Sequence, residues 1–315
     1  MAEWDLREDV SKLVVMEHDA TGVDLNLVLG SLRQDLVVLI KNVPAKQADN
    51  TIFKVAQELG LSESLELQAG FATFHGHRHN IGKYFMSVYS RSDYQFIPPH
   101  SEGTSSVGMQ LASFYCYENS TDGGETILMN VDGASEAWHT LREKVIRARP
   151  VSRRLSSSEL ARARAVYRLR LPSDVLREDD QIVAEIPSQI PGLSLVEALV
   201  KMEKSYSCIL DRQLYAYWDS VASIDHDSAS AYARLLKQWG LLKEPPSGVD
   251  LRQMDNAGPR RVWCSGIKYE QIFKSKITRK LAPGDLVIQN NLSWTHSVSN
   301  WSPDSGTRNV AAAFA

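Results

Sequence analysis

The spacing of hydrophobic and polar residues changes along the chain and divides it into three stretches. In the first stretch, residues 23–32 and 45–59 repeat apolar positions every three to four residues, which predicts two amphipathic helices. Between them, residues 36–40 form a short apolar run that predicts a buried strand. The N-terminal third is therefore predicted to be α/β.

After this first third, the pattern becomes typical of strands. Residues 107–117 are apolar and rich in aromatic side chains, and residues 126–131 follow a Gly-Gly turn signal. The pair Pro98 and Pro99 forces an extended backbone into His100. Both runs are predicted to be strands of one sheet system.

The middle of the chain differs in composition from its flanks. After a predicted helix over residues 135–146, residues 142–170 carry nine arginines and one lysine against two glutamates. This charge density indicates either a solvated helical face or a lid that attracts an anionic substrate. The last 55 residues return to predicted strands, over residues 261–264, 276–281, 284–290 and 307–314.

The order of strands, a differing middle and strands again predicts the domain organisation. We expect residues 1–315 to form a single domain that is mainly β with flanking helices, and about 142–255 to be a lid or insertion within it. A jelly roll, the double-stranded β-helix of cupin-like proteins, fits this order because it closes most sheet edges and has an open mouth.

Composition excludes several classes of protein. The 315 residues are 43% hydrophobic and 23% charged, which is ordinary for a globular protein, and a net charge of −3 argues against a nucleic-acid partner. Cys116, Cys208 and Cys264 are odd in number and widely spaced, so they predict no disulfide framework. No signal peptide or membrane span is expected, and the chain is interpreted as cytoplasmic with no membrane partner. The sequence does not predict an oligomeric state.

The candidate chemistry lies in His100-Ser101-Glu102 and in His296. Residues two apart on a strand point to the same side, so His100 and Glu102 can offer an imidazole and a carboxylate to one point. A second histidine from a distant strand completes the 2-His-1-carboxylate set of non-haem Fe(II) oxygenases. Arg308, twelve residues after His296, is where a bidentate fork would hold a dicarboxylate cosubstrate.

Three stretches of the chain resemble the taurine dioxygenase-like (TauD/TfdA) family of Fe(II)/2-oxoglutarate-dependent dioxygenases. Pro99–Glu102 is similar to the first ligand motif, Gly123–Leu128 to a stretch whose threonine binds 2-oxoglutarate, and Gly284–Arg308 to the closing strands. A glutamate in place of aspartate resembles the clavaminate synthase-like branch. The resemblance covers residues from about 37 to the C-terminus, with a poorly matched middle.

The resemblance implies Fe(II), 2-oxoglutarate and O2 as cofactor and cosubstrates. It implies Fe(II) ligation by His100, Glu102 and His296, with Thr126 and Arg308 binding 2-oxoglutarate. The implied reaction hydroxylates an unactivated C–H bond of an amino acid or an amino-acid-derived product of secondary metabolism, free or carrier-bound. Desaturation or cyclisation by the same oxidant is the alternative. The substrate would be a small molecule, and both an anionic and a carrier-tethered substrate are compatible with the sequence.

Other polar residues leave alternatives open. His75, His77 and His79 share one strand face if the segment is extended, and they form a rival metal site, contact substrate or belong to a solvated loop. His75 and His79 are our substrate candidates. Asn290 and Asn291 either line the site or belong to a turn. The rival functions are a zinc-type hydrolase and a cupin-like protein that binds a metal without turnover.

Overall fold

The computed structural model describes most of the chain, and these residues divide into two compact units. The described residues are 6–20, 22–75, 78–88, 93–103, 109–167, 169–215, 228–248, 254 and 269–315. The larger unit consists of Met1–Ser135 and Glu203–Ala315, and the smaller unit is Glu136–Met202. The predicted strand at residues 261–264 lies outside the described residues.

The larger unit contains most of the strands and helices of the molecule. Its strands are β1 Leu13–Glu17, β2 Val37–Lys41, β3 Met86–Ser87, β4 Ile97–His100, β5 Leu111–Asn119, β6 Thr126–Val131, β10 Lys204–Ser207, β11 Arg212–Tyr215, β12 Phe273–Arg279, β13 Leu286–Asn290, β14 Trp294–Val298 and β15 Arg308–Phe314. Its α-helices are α1 Leu25–Arg33, α2 Ala45–Glu58, α3 Ser62–His75 and α6 Ser228–Gln238. The smaller unit contains α4 Ala137–Thr140, β7 Arg142–Ala148, α5 Ser157–Tyr167, β8 Gln181–Ile186 and β9 Leu195–Lys201.

Two sheets dominate the larger unit, and successive strands pass from one to the other. The six-stranded sheet has the order β1-β2-β13-β5-β15-β3, and the four-stranded sheet has the order β12-β6-β14-β4. All neighbours are antiparallel except β1 and β2, which are parallel. The larger unit is therefore mainly β with flanking helices, as predicted.

The six-stranded sheet is apolar on both faces because helices pack on one face and the four-stranded sheet packs on the other. In β2, Val38 and Ile40 pack with helices α1 and α2, whereas Val37 and Leu39 pack with Leu128 of the other sheet. A strand buried on both faces has a continuous apolar run instead of alternation. This explains why residues 36–40 are uniformly apolar and do not alternate between apolar and polar residues.

Helices α1 and α2 lie where the sequence predicts them, whereas α3 was not predicted. Asp24 caps α1 by accepting a hydrogen bond from the Leu27 N–H at 3.1 Å. Helix α6 covers the outer face of the four-stranded sheet, where the Tyr232 hydroxyl donates to Ser297 Oγ at 2.9 Å. Among the described residues, no helix combines the length and the apolarity that crossing a bilayer requires.

The smaller unit corrects one sequence prediction. Its sheet has the order β7-β9-β8, with antiparallel pairing from Arg142 opposite Lys201 to Ala148 opposite Leu195. The helix predicted over residues 135–146 is limited to α4, because the residues from Arg142 onward pair with β9 instead. Pairing with a partner more than fifty residues away overrides the local helical pattern.

Candidate metal centre

Strand pairing brings the two candidate histidine ligands together. His100 ends β4 and lies opposite His296 of β14 in the antiparallel register. Side chains opposite each other in such a pair project from the same face. The two ring centroids are 4.3 Å apart. A carbonyl only accepts hydrogen bonds, so the contact of His100 Nδ1 with the Pro98 oxygen at 2.9 Å puts the proton on Nδ1. The lone pair that can ligate a metal is then on Nε2.

Glu102 reaches the same point from a bend beyond the end of β4. Its Oε1 lies 3.8 Å from His100 Nε2 and 4.0 Å from His296 Nε2. Asn291 holds the backbone of the bend: its side-chain oxygen accepts from the Glu102 N–H at 3.1 Å, and its amide donates to the Glu102 carbonyl at 2.8 Å. The predicted convergence of His100 and Glu102 is present, although only His100 lies in the strand.

The three donors fit a metal ion in both spacing and chemistry. One ligand atom from each of His100, Glu102 and His296 lies within 4.8 Å of the others. Two donors bonded to one ion at about 2.0–2.2 Å are at most about 4.4 Å apart, so small side-chain movements are enough to close the set. Two imidazoles and one carboxylate on one side of an ion form the facial triad of non-haem Fe(II) sites.

The electrostatics of the cluster favour the protonation states that bind metal. Burial acts to raise the pKa of Glu102, but the Arg78 guanidinium and the two imidazoles outweigh it, so that the pKa lies well below its usual range. Burial lowers the pKa of His296 well below its usual range; protonation of His100 and the Arg78 guanidinium act in the same direction, and Glu102 opposes them. At neutral pH, Glu102 is therefore an anion and His296 is a neutral imidazole.

His296 differs from the polar residues around it in its hydrogen bonding. Eight neighbouring polar side chains are equally buried, and each makes at least one side-chain hydrogen bond: Gln289, Asn290, Asn291, Ser293, Thr295, Ser297, Ser299 and Asn300. His296 Nδ1 is buried without a hydrogen-bond partner among the described residues. Its ring instead lies 4.7 Å from that of Phe114. Ligation through Nε2, the atom that faces Glu102 at 4.0 Å, would give the buried imidazole a partner at that nitrogen.

Arg308 and Thr126 form a second polar group close to the candidate metal centre. Arg308 Nε donates to the Gly124 carbonyl at 3.1 Å, and Nη2 donates to Thr126 Oγ1 at 3.3 Å. Burial lowers the pKa of Arg308 to about 10, with Cys116 and Glu125 opposing the shift, so the guanidinium stays cationic at neutral pH. No carboxylate of the described residues lies within 4 Å of it. The hydroxyl proton of Thr126, whose oxygen accepts from Arg308, is left to donate to a ligand.

The register fixes the distance between this pair and the histidines. In the pairing of β6 with β14, His296 lies opposite Leu128 and Val298 lies opposite Thr126. Thr126 and Leu128 are two residues apart, so Thr126 shares the face of His296. At a rise of about 3.4 Å per residue, Thr126 lies about 7 Å along the strands from the histidine level. That spacing suits a short dicarboxylate held at both ends.

Gly124 makes room for this arrangement. Its φ of +75° is a conformation that favours glycine, and a Cβ there would lie 2.9 Å from both Arg308 Cδ and Thr121 Oγ1. The Gly-Gly pair was interpreted from sequence as a turn signal. In the structure, its second glycine also allows the Arg308 side chain to approach the backbone.

Sequence reasoning missed one residue of the site, Arg78, and left a second, Asn291, undecided. Arg78 Nη2 lies 3.1 Å from Glu102 Oε1, and Asn291 holds the Glu102 backbone. Arg78 stands among the three histidines that drew attention to residues 75–79, and this was the only signal for it. Asn291 was left undecided between site and turn, and its separation from Glu102 in the chain gave no signal.

The substrate candidates lie in a segment that is described in part. His79 is exposed and its Nδ1 lies 3.1 Å from Ser87 Oγ. His75 ends α3, and its side chain and all of His77 lie outside the described residues. Substrate contact by His75 and His79 stays a prediction. A cavity of about 290 Å³ is present elsewhere in the larger unit, and its lining includes Asp35, Arg212 and Tyr215 but none of the triad residues.

Comparison with known proteins gives solved structures only. No family model and no curated protein matches the chain. The PvcB protein from Pseudomonas aeruginosa is 10% identical, with 98% of this chain and 89% of that chain covered and a TM-score of 0.45. A second structure describes PvcB as an Fe, alpha-ketoglutarate dependent oxygenase from an isonitrile synthetic pathway.

Two further structures are similar, with lower TM-scores. AAD-2 in complex with Mn(II) and N-oxalylglycine is 10% identical, with 93% of this chain and 90% of that chain covered and a TM-score of 0.38. A putative alpha-ketoglutarate dependent 2,4-D dioxygenase from Burkholderia xenovorans is 12% identical, with 98% and 95% covered and a TM-score of 0.38. At TM-scores below 0.5, these likenesses do not indicate what this chain does.

Proposed function

We propose that this chain is an Fe(II)- and 2-oxoglutarate-dependent oxygenase. The observation that carries the proposal is the Thr126 hydroxyl about 7 Å along the strands from the convergent His100, Glu102 and His296, with the cationic Arg308 donating to it at 3.3 Å. A metal triad alone is compatible with several chemistries. A triad with Thr126 on the same sheet face, and with Arg308 of the facing sheet hydrogen-bonded to that threonine, matches a cosubstrate that chelates metal at one end and carries a carboxylate at the other.

We further propose that the larger unit is a jelly roll of the cupin-like kind. Eight strands support it: β3, β5, β13 and β15 lie in one sheet, and β4, β6, β12 and β14 lie in the other. The chain changes sheets at most of the connections between them, which is the course of a double-sheet jelly roll. Within this fold, the triad comes from the end of β4 and from β14, which are neighbouring strands.

The residues of this chain would divide the work as follows. His100, Glu102 and His296 would hold Fe(II), and the Arg308 fork with the Thr126 hydroxyl would hold the distal carboxylate of 2-oxoglutarate. Fe(II) with 2-oxoglutarate and O2 supplies the oxidising power for attack on a C–H bond. Leu128 and Phe114 are buried beside His296 and would keep water from the reacting centre. The protein's contribution is therefore binding, orientation and exclusion of water.

The reaction type and substrate class are narrower parts of the proposal. Glu102 stands where halogenating relatives of the resembled family have a small residue, which favours hydroxylation, with desaturation or cyclisation as alternatives. The glutamate itself favours an amino acid or amino-acid-derived small molecule, free or carrier-bound, since it resembles the clavaminate synthase-like branch. A zinc-type hydrolase or a non-catalytic metal-binding protein is less favoured, because neither needs the pair of Arg308 and Thr126.

The test combines binding with turnover. Anaerobic addition of Fe(II) and 2-oxoglutarate should give the weak visible band of a chelated keto acid, with one Fe(II) per chain. His296→Ala should lose the band, and admission of O2 to the wild type should release succinate. A His296→Ala protein that kept full iron and the band would contradict the triad. Metabolites that gain sixteen mass units after incubation with candidate amino-acid pools would identify the substrate.

A further inference from the structure

The three candidate ligands differ in what holds them. His100 and His296 are fixed by the hydrogen-bonded register of two neighbouring strands. Glu102 lies past the end of β4, directly before Gly103, whose φ is +90°. A strand therefore orients both imidazoles, but no regular element orients the carboxylate. Its direction depends on side chains from other parts of the chain.

We propose that Arg78 is a positioning residue for the Glu102 carboxylate, and this inference rests on the proposed function. Arg78 Nη2 lies 3.1 Å from Glu102 Oε1, the same oxygen that faces both imidazoles at 3.8 and 4.0 Å. Asn291 fixes the Glu102 backbone from the other side. A carboxylate oxygen has more than one lone pair, so it can ligate a metal and accept the Arg78 hydrogen bond together.

Arg78 is itself held in place by the six-stranded sheet. Its Nη1 donates to Met86 Sδ at 3.7 Å, and its guanidinium carbon lies 5.9 Å from the centre of the Phe314 ring. Met86 belongs to β3 and Phe314 to β15, which are neighbours in that sheet. The Phe314 ring also lies 6.1 Å from the His296 ring. Arg78 therefore connects the Glu102 carboxylate, which no strand or helix orients, to the packed core around His296.

A competing explanation is that Arg78 only neutralises the Glu102 charge. The two explanations predict opposite effects on metal affinity. A cation beside a divalent ion repels it, so removing a guanidinium that does nothing but balance charge should strengthen metal binding. Removing a guanidinium that orients the ligand should weaken binding in spite of that electrostatic gain. The sign of the change separates the explanations.

The experiment measures Mn²⁺ and Co²⁺ binding to the full chain without 2-oxoglutarate, so that turnover plays no part. Arg78→Met has similar length but no charge and no donor, and we expect its metal affinity to fall by about ten- to a hundredfold. Arg78→Lys keeps the charge but loses the planar fork, and its affinity should fall as well. The visible bands of bound Co²⁺ should change shape in both variants, since they depend on ligand geometry.

Matched controls assign each outcome. Arg153→Met removes another arginine–carboxylate pair, with Glu159 in the smaller unit, and should leave metal affinity unchanged. Unchanged or tighter binding by Arg78→Met overturns the positioning role, and if that variant does not fold, unchanged binding by Arg78→Lys overturns it. His296→Ala separates the two proposals. If it binds metal as tightly as the wild type, the proposed triad fails, whereas weak binding by His296→Ala beside unchanged Arg78 variants defeats only the inference about Arg78.

Discussion

The segment at residues 289–300 and the smaller unit handle polar residues in opposite ways. In the first, nine polar side chains are buried, and eight of them make side-chain hydrogen bonds. In the second, the arginine-rich residues largely lie at the surface, and several pair with nearby acids, as Arg149 does with Glu185 and Arg153 with Glu159. The buried exception there is Arg147, which lies 3.5 Å from Asp174 and 3.3 Å from Asp180.

In this protein the candidate site coincides with buried polar residues and not with the region of highest charge density. The arginine density of residues 142–170 was the most visible feature of the sequence. Most of these arginines, however, are exposed to solvent or form surface ion pairs, which contribute little to stability. The segment at 289–300 is inconspicuous in composition, but its buried polar groups must all be satisfied, and an unsatisfied one is costly. Gln289 lacks a partner at Oε1 but still donates through Nε2, whereas His296 is the buried side chain of this segment with no hydrogen bond to the described residues, and it belongs to the candidate metal centre.

The largest expected effect is that of Asn291→Leu. This change leaves the Glu102 N–H, the Glu102 carbonyl and the Met109 carbonyl without their side-chain partner, at roughly 1–3 kcal/mol for each group that stays unsatisfied. Urea denaturation should show a loss of several kcal/mol, and metal affinity should fall with it. Asn50→Leu, on the exposed face of α2, is the control and should stay within about 0.5 kcal/mol. Equal stability of the two variants would remove the contrast between buried and exposed polar residues.

The second effect concerns the buried charge of Arg308. Arg308→Lys keeps the charge but loses the fork, and a charge-assisted hydrogen bond is worth about 1.5–3 kcal/mol. The affinity for 2-oxoglutarate, measured by titration of the visible band, should fall about ten- to a hundredfold. Iron content should hardly change, because Arg308 is not one of the candidate ligands. Unchanged affinity for 2-oxoglutarate in Arg308→Ala would contradict the carboxylate-binding role.

The third effect separates backbone strain from crowding. Gly124 and Gly60 have φ values of +75° and +72°, but a Cβ on Gly60 would have nothing within 4 Å. Substitution by alanine should cost each roughly 1–2 kcal/mol of stability from the left-handed backbone. Gly124→Ala should in addition weaken 2-oxoglutarate binding, because the new methyl displaces the Arg308 side chain. Equal 2-oxoglutarate affinity in both variants would show that Arg308 tolerates the displacement.

The smallest effect is expected in the smaller unit. Arg162 and Arg164 are exposed on α5 and make no ion pair with the described residues. The double change to glutamine should alter the free energy of unfolding by less than about 0.5 kcal/mol. A loss well above that would mean that the arginine-rich surface has a structural role and is not merely solvated.

The same double variant also tests the predicted lid. If residues 142–190, the N-terminal part of the lid predicted at about 142–255, close over an anionic substrate, their hydrogen exchange should slow only when substrate is bound, and turnover should weaken with rising salt. The arginine variant would then raise KM and reduce the salt dependence. Strong exchange protection without substrate would instead identify a rigid insertion.

Much of the local structure could be predicted from sequence. Residues 126–131 match β6 at both ends, and residues 45–59 match α2 within one residue, because apolar periodicity reports directly which faces are buried. The prediction of a helix over residues 135–146 was wrong because residues from Arg142 onward form β7, which depends on pairing with β9. A strand at an edge of a sheet is stabilised by its partner, and the partner is invisible in a local window.

The sequence alone determined the chemical types at the site: two imidazoles, a carboxylate and a following arginine. The side chains that surround and orient these groups follow only from the tertiary structure. Arg78 and Asn291 reach Glu102 across separations of 24 and 189 residues, and the local pattern of neither residue predicts that contact. The reason is physical. Burial and hydrogen bonding are properties of the packed sheets, and they decide which of many equivalent polar residues hold a ligand in place and which lie in solvent.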